Sequence, residues 1–82
     1  MVVIVARGEP GAPQVGVVAG RRVGNAVRRN RAKRRVRAAL ERVPLARDTT
    51  YVVIAGRQVV DTGFERLVSW IGAAVEDRPE EE

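Results

Sequence analysis

The segment 21–37, RRVGNAVRRNRAKRRVR, limits what this chain can fold into more than any other part of the sequence. It carries nine of the fifteen Lys and Arg residues, Arg42 follows as a tenth, and no acidic residue interrupts the segment before Glu41. So many like charges on one short element repel one another unless a polyanion neutralises them. The sequence therefore predicts an element that faces a strongly negative partner.

Helix signals bound this basic segment on both sides. Asn25 is a favourable N-cap and Pro44 cannot continue a helix, so the pattern predicts a helix from about Ala26 to Val43. At 100° per residue, one side of this helix is apolar. That side comprises Ala32, Val36, Ala39, Leu40 and Val43. The basic residues occupy the rest of the circumference, and those in the first half of the helix are expected to project from the domain.

Three β-branched runs predict short strands at residues 2–6, 14–20 and 50–55. Two Gly and two Pro residues lie within 8–13, which is typical of a turn. We therefore expect the first two strands to form an antiparallel hairpin.

The C-terminal part of the chain predicts a loop at 56–61 and then a second helix. Residues 62–65, TGFE, match the capping box that begins a helix, and apolar residues at helical spacing extend it to about Glu76. The order β-β-α-β-α predicts the α+β class, with a small β-sheet and helices packed on it. We expect a single domain at 1–76 and an acidic, disordered tail at 77–82.

Composition excludes several kinds of chemistry. The chain has no Cys and no His, so it lacks thiolates, the usual zinc ligands and the commonest general base. Its acidic residues are scattered, and Ser69 has no His to activate it. The apolar stretch Leu67–Val75 is far shorter than the roughly 20 residues of a membrane-spanning helix. We expect a cytoplasmic protein without a catalytic or metal-binding residue of its own.

The excess of positive charge in residues 1–76 suggests a nucleic-acid partner first and an anionic membrane surface second. The only aromatic residues are Tyr51, Phe64 and Trp70, which favours contact with the phosphates of structured RNA over base stacking. One alternative is a non-enzymatic RNA-binding module of the ribosomal-protein type. Another is a DNA-binding regulator with the basic helix in a major groove, although the flanking strands disfavour it.

Residues 23–37, VGNAVRRNRAKRRVR, closely resemble the protein subunit of bacterial ribonuclease P. That family carries the pattern V-G-x-A-V-x-R-N-R-x-K-R-x-x-R. The strands on either side, at 16–22 and 51–57, are also similar to the family, as is the order of elements.

The resemblance implies a small protein cofactor of a large catalytic RNA. The ribonucleoprotein is an endoribonuclease that removes the 5′ leader of precursor tRNA, and the RNA with Mg²⁺ performs the hydrolysis. The implied partners are therefore the catalytic RNA of ribonuclease P and precursor tRNA, with no membrane and no required protein oligomer. The resemblance also implies a left-handed β-α-β crossover, against the general right-handed rule.

The basic pattern and the resemblance together predict the RNA-binding residues. Matching positions of the family motif contact the catalytic RNA, and Asn25 with its neighbours shapes the turn that presents them. The predicted set is Arg21, Arg22, Asn25, Arg28, Arg29, Asn30, Arg31, Lys33, Arg34, Arg35 and Arg37.

The chain departs from the family pattern at its beginning. Family members start with a helix and a longer basic segment before the first strand, and this helix forms one wall of the cleft for the tRNA leader. Aromatic residues of the family strands reach that cleft, whereas this chain has Val2, Val3 and Ile4. The chain is thus expected to be a minimal variant or a shortened form, with binding to the catalytic RNA retained.

Overall fold

The computed structural model describes residues 1–76, which form three strands, three α-helices and one 3₁₀ turn. The strands are β1 (Val2–Arg7), β2 (Gln14–Ala19) and β3 (Thr49–Ala55). The helices are α1 (Ala26–Leu40), α2 (Gln58–Asp61) and α3 (Phe64–Glu76), and the 3₁₀ turn is Arg21–Val23. The α+β class is confirmed. The predicted tail at 77–82 lies outside the described residues.

β3 is the central strand of the sheet, whose order is β1-β3-β2. β1 pairs antiparallel with β3 and β2 pairs parallel with it, so the predicted hairpin between β1 and β2 is wrong. The side chains of Tyr51, Val53 and Ala55 are buried on one face of β3, whereas β2 includes Gly16. A strand rich in β-branched and aromatic residues is stabilised most at the centre of a sheet, where its side chains pack on both neighbours. Glycine weakens a strand and is better tolerated at the edge of a sheet.

The connection between β1 and β2 crosses the beginning of β3 instead of making a tight turn. Asp48, in the left-handed region at φ 60°, holds this connection on both sides. The Gly8 N–H donates to the Asp48 carbonyl at 2.9 Å, and the Asp48 N–H donates to the Gly11 carbonyl at 2.9 Å. The Gly11 N–H also donates to Asp48 Oδ1 at 2.6 Å. Six residues suffice to span two strand spacings of about 4.8 Å each, so the Gly and Pro pattern did not require neighbouring strands.

α1 connects the parallel pair β2 and β3, as a parallel pairing requires a crossover. Its start is confirmed, because Asn25 Oδ1 accepts a hydrogen bond from the Arg28 N–H at 3.0 Å. The helix ends at Leu40, and tighter turns continue to Val43, whose N–H donates to the Leu40 carbonyl at 3.1 Å. The left-handed sense of the crossover stays a prediction.

The core lies between one face of the sheet and the helices. The predicted apolar side of α1 is confirmed as buried, and it meets β3 and α3. The buried residues are Val23, Ala32, Val36, Ala39, Leu40, Val43, Tyr51, Val53, Ala55, Val59, Leu67, Ile71 and Val75. The opposite face of the sheet is uncovered within the described residues, and Val2, Ile4, Val18 and Ile54 are exposed there.

Residues 56–61 include the one-turn helix α2, where the sequence predicted only a loop. α3 begins at Phe64, and the Thr62 side chain makes no hydrogen bond within residues 1–76, so the predicted capping box does not form. The Thr62 carbonyl instead accepts a hydrogen bond from Arg35 of α1, and the Glu65 carboxylate accepts from Arg42, which follows α1. Of the helices described here, none has both the length and the apolar character to cross a bilayer.

Candidate nucleic-acid interface

Six basic side chains of α1 and the 3₁₀ turn lie at the surface without an intramolecular partner among the described residues. Among residues 1–76, none of them makes an ion pair or a side-chain hydrogen bond, and all but the half-buried Lys33 are exposed. We call this set the cationic face. It comprises Arg21, Arg22, Arg31, Lys33, Arg34 and Arg37.

Four of these residues lie around the outer side of α1. At 100° per residue, Arg34 lies opposite the buried side of the helix, and Arg31 and Arg37 flank it on either side. Lys33 lies closer to the buried residues. The 3₁₀ turn places Arg21 and Arg22 immediately before the start of the helix. No acidic residue occupies the first turn of α1, so the positive end of the helix dipole adds to the field of these cations.

Two basic residues near the start of α1 turn back onto the protein. Arg28 Nε donates to the Val23 carbonyl at 3.2 Å, and Arg28 Nη2 lies 3.3 Å from Asp61 Oδ2. Arg29 Nη1 donates to the Gly24 carbonyl at 2.8 Å. Both side chains are half-buried, so the expectation that they project from the domain is wrong. Direct contact of these two residues with RNA stays a prediction.

Arg35 is also held inside the fold. Its Nε donates to the Val59 carbonyl at 2.9 Å, and its Nη2 donates to the Thr62 carbonyl. The guanidinium carbon lies 6.0 Å from the centre of the Phe64 ring, within range of a cation–π interaction. Arg35 thus attaches α1 to the α2–α3 corner, and its contact with RNA stays a prediction.

The acidic partners of these arginines could not be identified from the sequence. Asp61 pairs with Arg28, and Glu65 faces Arg42 through two contacts of 3.2 and 3.3 Å. These pairs join residues 33 and 23 positions apart. Only the packing of α1 against α2 and α3 brings them together, and the local sequence pattern does not predict that packing.

The two predicted asparagines differ in their surroundings. The side chain of Asn25 caps α1, which agrees with its predicted part in shaping the turn. Asn30 is exposed on the outer side of α1 with its amide unpaired among the described residues, so it can bond a sugar or a base edge.

This arrangement can bind phosphates but offers little for base stacking or hydrolysis. Tyr51 is buried, and its hydroxyl accepts a hydrogen bond from the Ala46 N–H at 2.8 Å. Phe64 is half-buried beneath two arginines, which leaves Trp70 as the exposed aromatic side chain. Within residues 1–76, no three acidic side chains gather where they could hold a metal ion. The chemistry is therefore that of a polyanion-binding surface.

Comparison with known proteins agrees with this chemistry. The sequence profile of the family described as Ribonuclease P matches residues 1–77. A curated relative, the ribonuclease P protein component of Symbiobacterium thermophilum, is 45% identical over 69 residues. That alignment covers 80% of this chain and 60% of the relative, so the chain spans about three fifths of that relative's length.

Solved structures share the fold. The ribonuclease P protein of Thermotoga maritima superimposes with a TM-score of 0.78 at 22% identity, covering 95% of this chain and 76% of that one. The Staphylococcus aureus ribonuclease P protein gives a TM-score of 0.67 at 19% identity, covering 90% of this chain and 72% of that one. The family profile spans nearly the whole chain, and these structures repeat its architecture; the chain therefore belongs to the Ribonuclease P protein family.

Proposed function

We propose that the chain is the RNA-binding protein subunit of ribonuclease P, which assists a catalytic RNA in removing the 5′ leader of precursor tRNA. Membership of the family supports this role. The observation that carries it is the cationic face, whose six basic side chains on α1 and the 3₁₀ turn have no partner in the described part of the chain. Such a surface is costly for an isolated protein, and a folded RNA relieves it by supplying phosphates.

The proposed division of labour assigns hydrolysis to the RNA. The described residues include no activated nucleophile and no group of three acidic side chains that could hold a metal ion. Asp61 and Glu65 are already paired with arginines. We therefore propose that any Mg²⁺ belongs to the RNA and that this chain contributes phosphate contacts, which lower repulsion between RNA segments.

A cleavage assay at low Mg²⁺ tests the proposal. The full chain is added to an in vitro transcript of a bacterial ribonuclease P RNA together with precursor tRNA, and 5′ cleavage is followed. At low Mg²⁺ the RNA lacks counterions, so the protein is expected to increase the cleavage rate. When Mg²⁺ is abundant, the protein should increase the rate by a smaller factor.

Other outcomes of that assay identify the alternatives. RNA binding without any stimulation of cleavage would reject the proposal and leave a non-enzymatic RNA-binding module. Efficient competition by duplex DNA would point to the DNA-binding regulator instead. Precursor tRNA is part of the proposal, and a mature tRNA without a leader is the matched control for its binding.

A further inference from the structure

We propose that Arg28 and Arg29 are positioning residues, which clamp the 3₁₀ turn so that Arg21 and Arg22 meet the RNA in a fixed geometry. This inference rests on the proposed function and divides the basic residues by role. Arg21 and Arg22 contact phosphates, whereas Arg28 and Arg29 act through the turn that carries those two residues.

The turn exposes two backbone carbonyls that need partners. Its own hydrogen bonds run from the Val23 N–H to the Gly20 carbonyl and from the Gly24 N–H to the Arg21 carbonyl, both at 3.1 Å. They leave the carbonyls of Val23 and Gly24 free. Arg28 Nε donates to the first at 3.2 Å and Arg29 Nη1 donates to the second at 2.8 Å. Two successive residues of α1, Arg28 and Arg29, therefore hold the two successive carbonyls at the end of the turn, those of Val23 and Gly24.

Gly24 provides the space in which the clamp closes. A Cβ atom at this position would lie 2.7 Å from Arg28 Cδ and 2.9 Å from Arg28 Nε, closer than such atoms approach. Gly24 also has φ 138°, a backbone conformation that side chains rarely allow. The stem of Arg28 thus lies directly against the backbone of the turn.

Two further contacts hold the clamp in place, one at Asp61 and one at Val23. Arg28 Nη2 lies 3.3 Å from Asp61 Oδ2, so the same guanidinium ties the turn to the end of α2. Val23 is only 2% exposed and packs in the core. Arg21 and Arg22 immediately precede this anchored residue. Their positions relative to α1 are consequently set by contacts that do not involve RNA.

The charge distribution separates Arg28 from Arg21 and Arg22 in the same way. Asp61 offsets part of the charge of Arg28 and so weakens its attraction for a phosphate. The side chains of Arg21 and Arg22 are exposed and have no acidic partner among the described residues. Because the backbone that carries these cations is already held, less conformational freedom is lost when they bind phosphates.

The decisive variant is Arg28→Lys, which keeps the positive charge but replaces the fork with a single ammonium group. Lysine cannot hold the Val23 carbonyl and Asp61 with the same geometry. Arg29→Lys makes the same test independently at the Gly24 carbonyl. Both are compared with the double variant Arg21→Gln/Arg22→Gln and with Arg66→Lys, which keeps the charge of an exposed α3 residue whose side chain has no intramolecular bond within residues 1–76. Affinity for a bacterial ribonuclease P RNA transcript is measured by filter binding, and folding by circular dichroism.

We expect Arg28→Lys and Arg29→Lys each to approach the affinity of the Arg21→Gln/Arg22→Gln variant, roughly tenfold below the unmodified chain, from two weakened phosphate contacts. Neither lysine variant should weaken binding further in the Arg21→Gln/Arg22→Gln background, because the contacts they position are already absent. Arg66→Lys should bind nearly as well as the unmodified chain, because Arg66 lies on α3 outside the cationic face.

Two results would overturn the inference. One is that both lysine variants, with native circular dichroism spectra, bind as tightly as the unmodified chain, since charge alone would then suffice. The other is that their losses add fully to those of Arg21→Gln/Arg22→Gln. If the unmodified chain fails to bind the transcript, the proposed function itself fails, which is a distinct result.

Discussion

Adjacent arginines of α1 differ in what their guanidinium groups contact. Arg34 is exposed and has no partner within residues 1–76, whereas Arg35 bonds two backbone carbonyls and lies over the Phe64 ring. The sequence shows both as members of one basic run. Their roles separate only because Arg35 points along the side of the helix that meets α2 and α3, which depends on tertiary packing.

We predict that Arg35→Ala lowers the free energy of unfolding by about 1–3 kcal/mol, because it leaves partly buried carbonyls of Val59 and Thr62 without donors. Arg34→Ala, the matched control, should change stability by less than about 0.5 kcal/mol. It should instead weaken RNA binding. Urea unfolding and filter binding on the same samples measure both quantities. Equal stabilities for the two variants would contradict the structural role of Arg35.

At the scale of elements, the start and buried side of α1 were predictable from sequence. Asn25 determines where the helix starts, and the spacing of Ala32, Val36 and Ala39 determines which side is buried. The pairing of the strands was not predictable, because the connection at 8–13 is long enough either to turn back or to cross β3. Asp48 favours the crossing because its side chain accepts a hydrogen bond from the Gly11 N–H. These two residues lie 37 positions apart in the sequence.

We expect Asn25→Ala to destabilise the protein by about 1 kcal/mol, because α1 loses the side-chain oxygen that caps the Arg28 N–H. Asn30→Ala is the control, since its side chain has no such partner in the described structure. Thermal unfolding followed by circular dichroism compares the two. A lower melting temperature for Asn30→Ala than for Asn25→Ala would show that the assigned start of α1 is wrong.

The packing of α1 on the sheet gives a second prediction at this scale. Leu40 is 4% exposed, so Leu40→Ala should cost about 2–5 kcal/mol through lost burial and a residual cavity. Arg31→Ala should weaken RNA binding and leave the unfolding free energy nearly unchanged, since Arg31 is exposed. Chemical unfolding determines the ranking, and the reverse order would contradict the assigned faces of the helix.

At the scale of the whole molecule, the outer side of α1 and the adjoining turn carry six unpaired basic side chains of the described residues, while the other side of α1 completes the core. Composition predicted a polyanion partner, and the motif at 23–37 indicated the family that the profile match then established. Neither could separate the cationic face from the arginines that hold the fold. That separation required the hydrogen bonds of Arg28, Arg29 and Arg35.

The salt dependence of RNA binding tests this account most directly. The dissociation constant of the chain for a bacterial ribonuclease P RNA transcript is measured from low to moderate monovalent salt at constant Mg²⁺. About five neutralised phosphates should give a slope near −4 for the logarithm of the binding constant against the logarithm of salt concentration. A slope near zero would contradict the claim that the cationic face binds RNA through its phosphates.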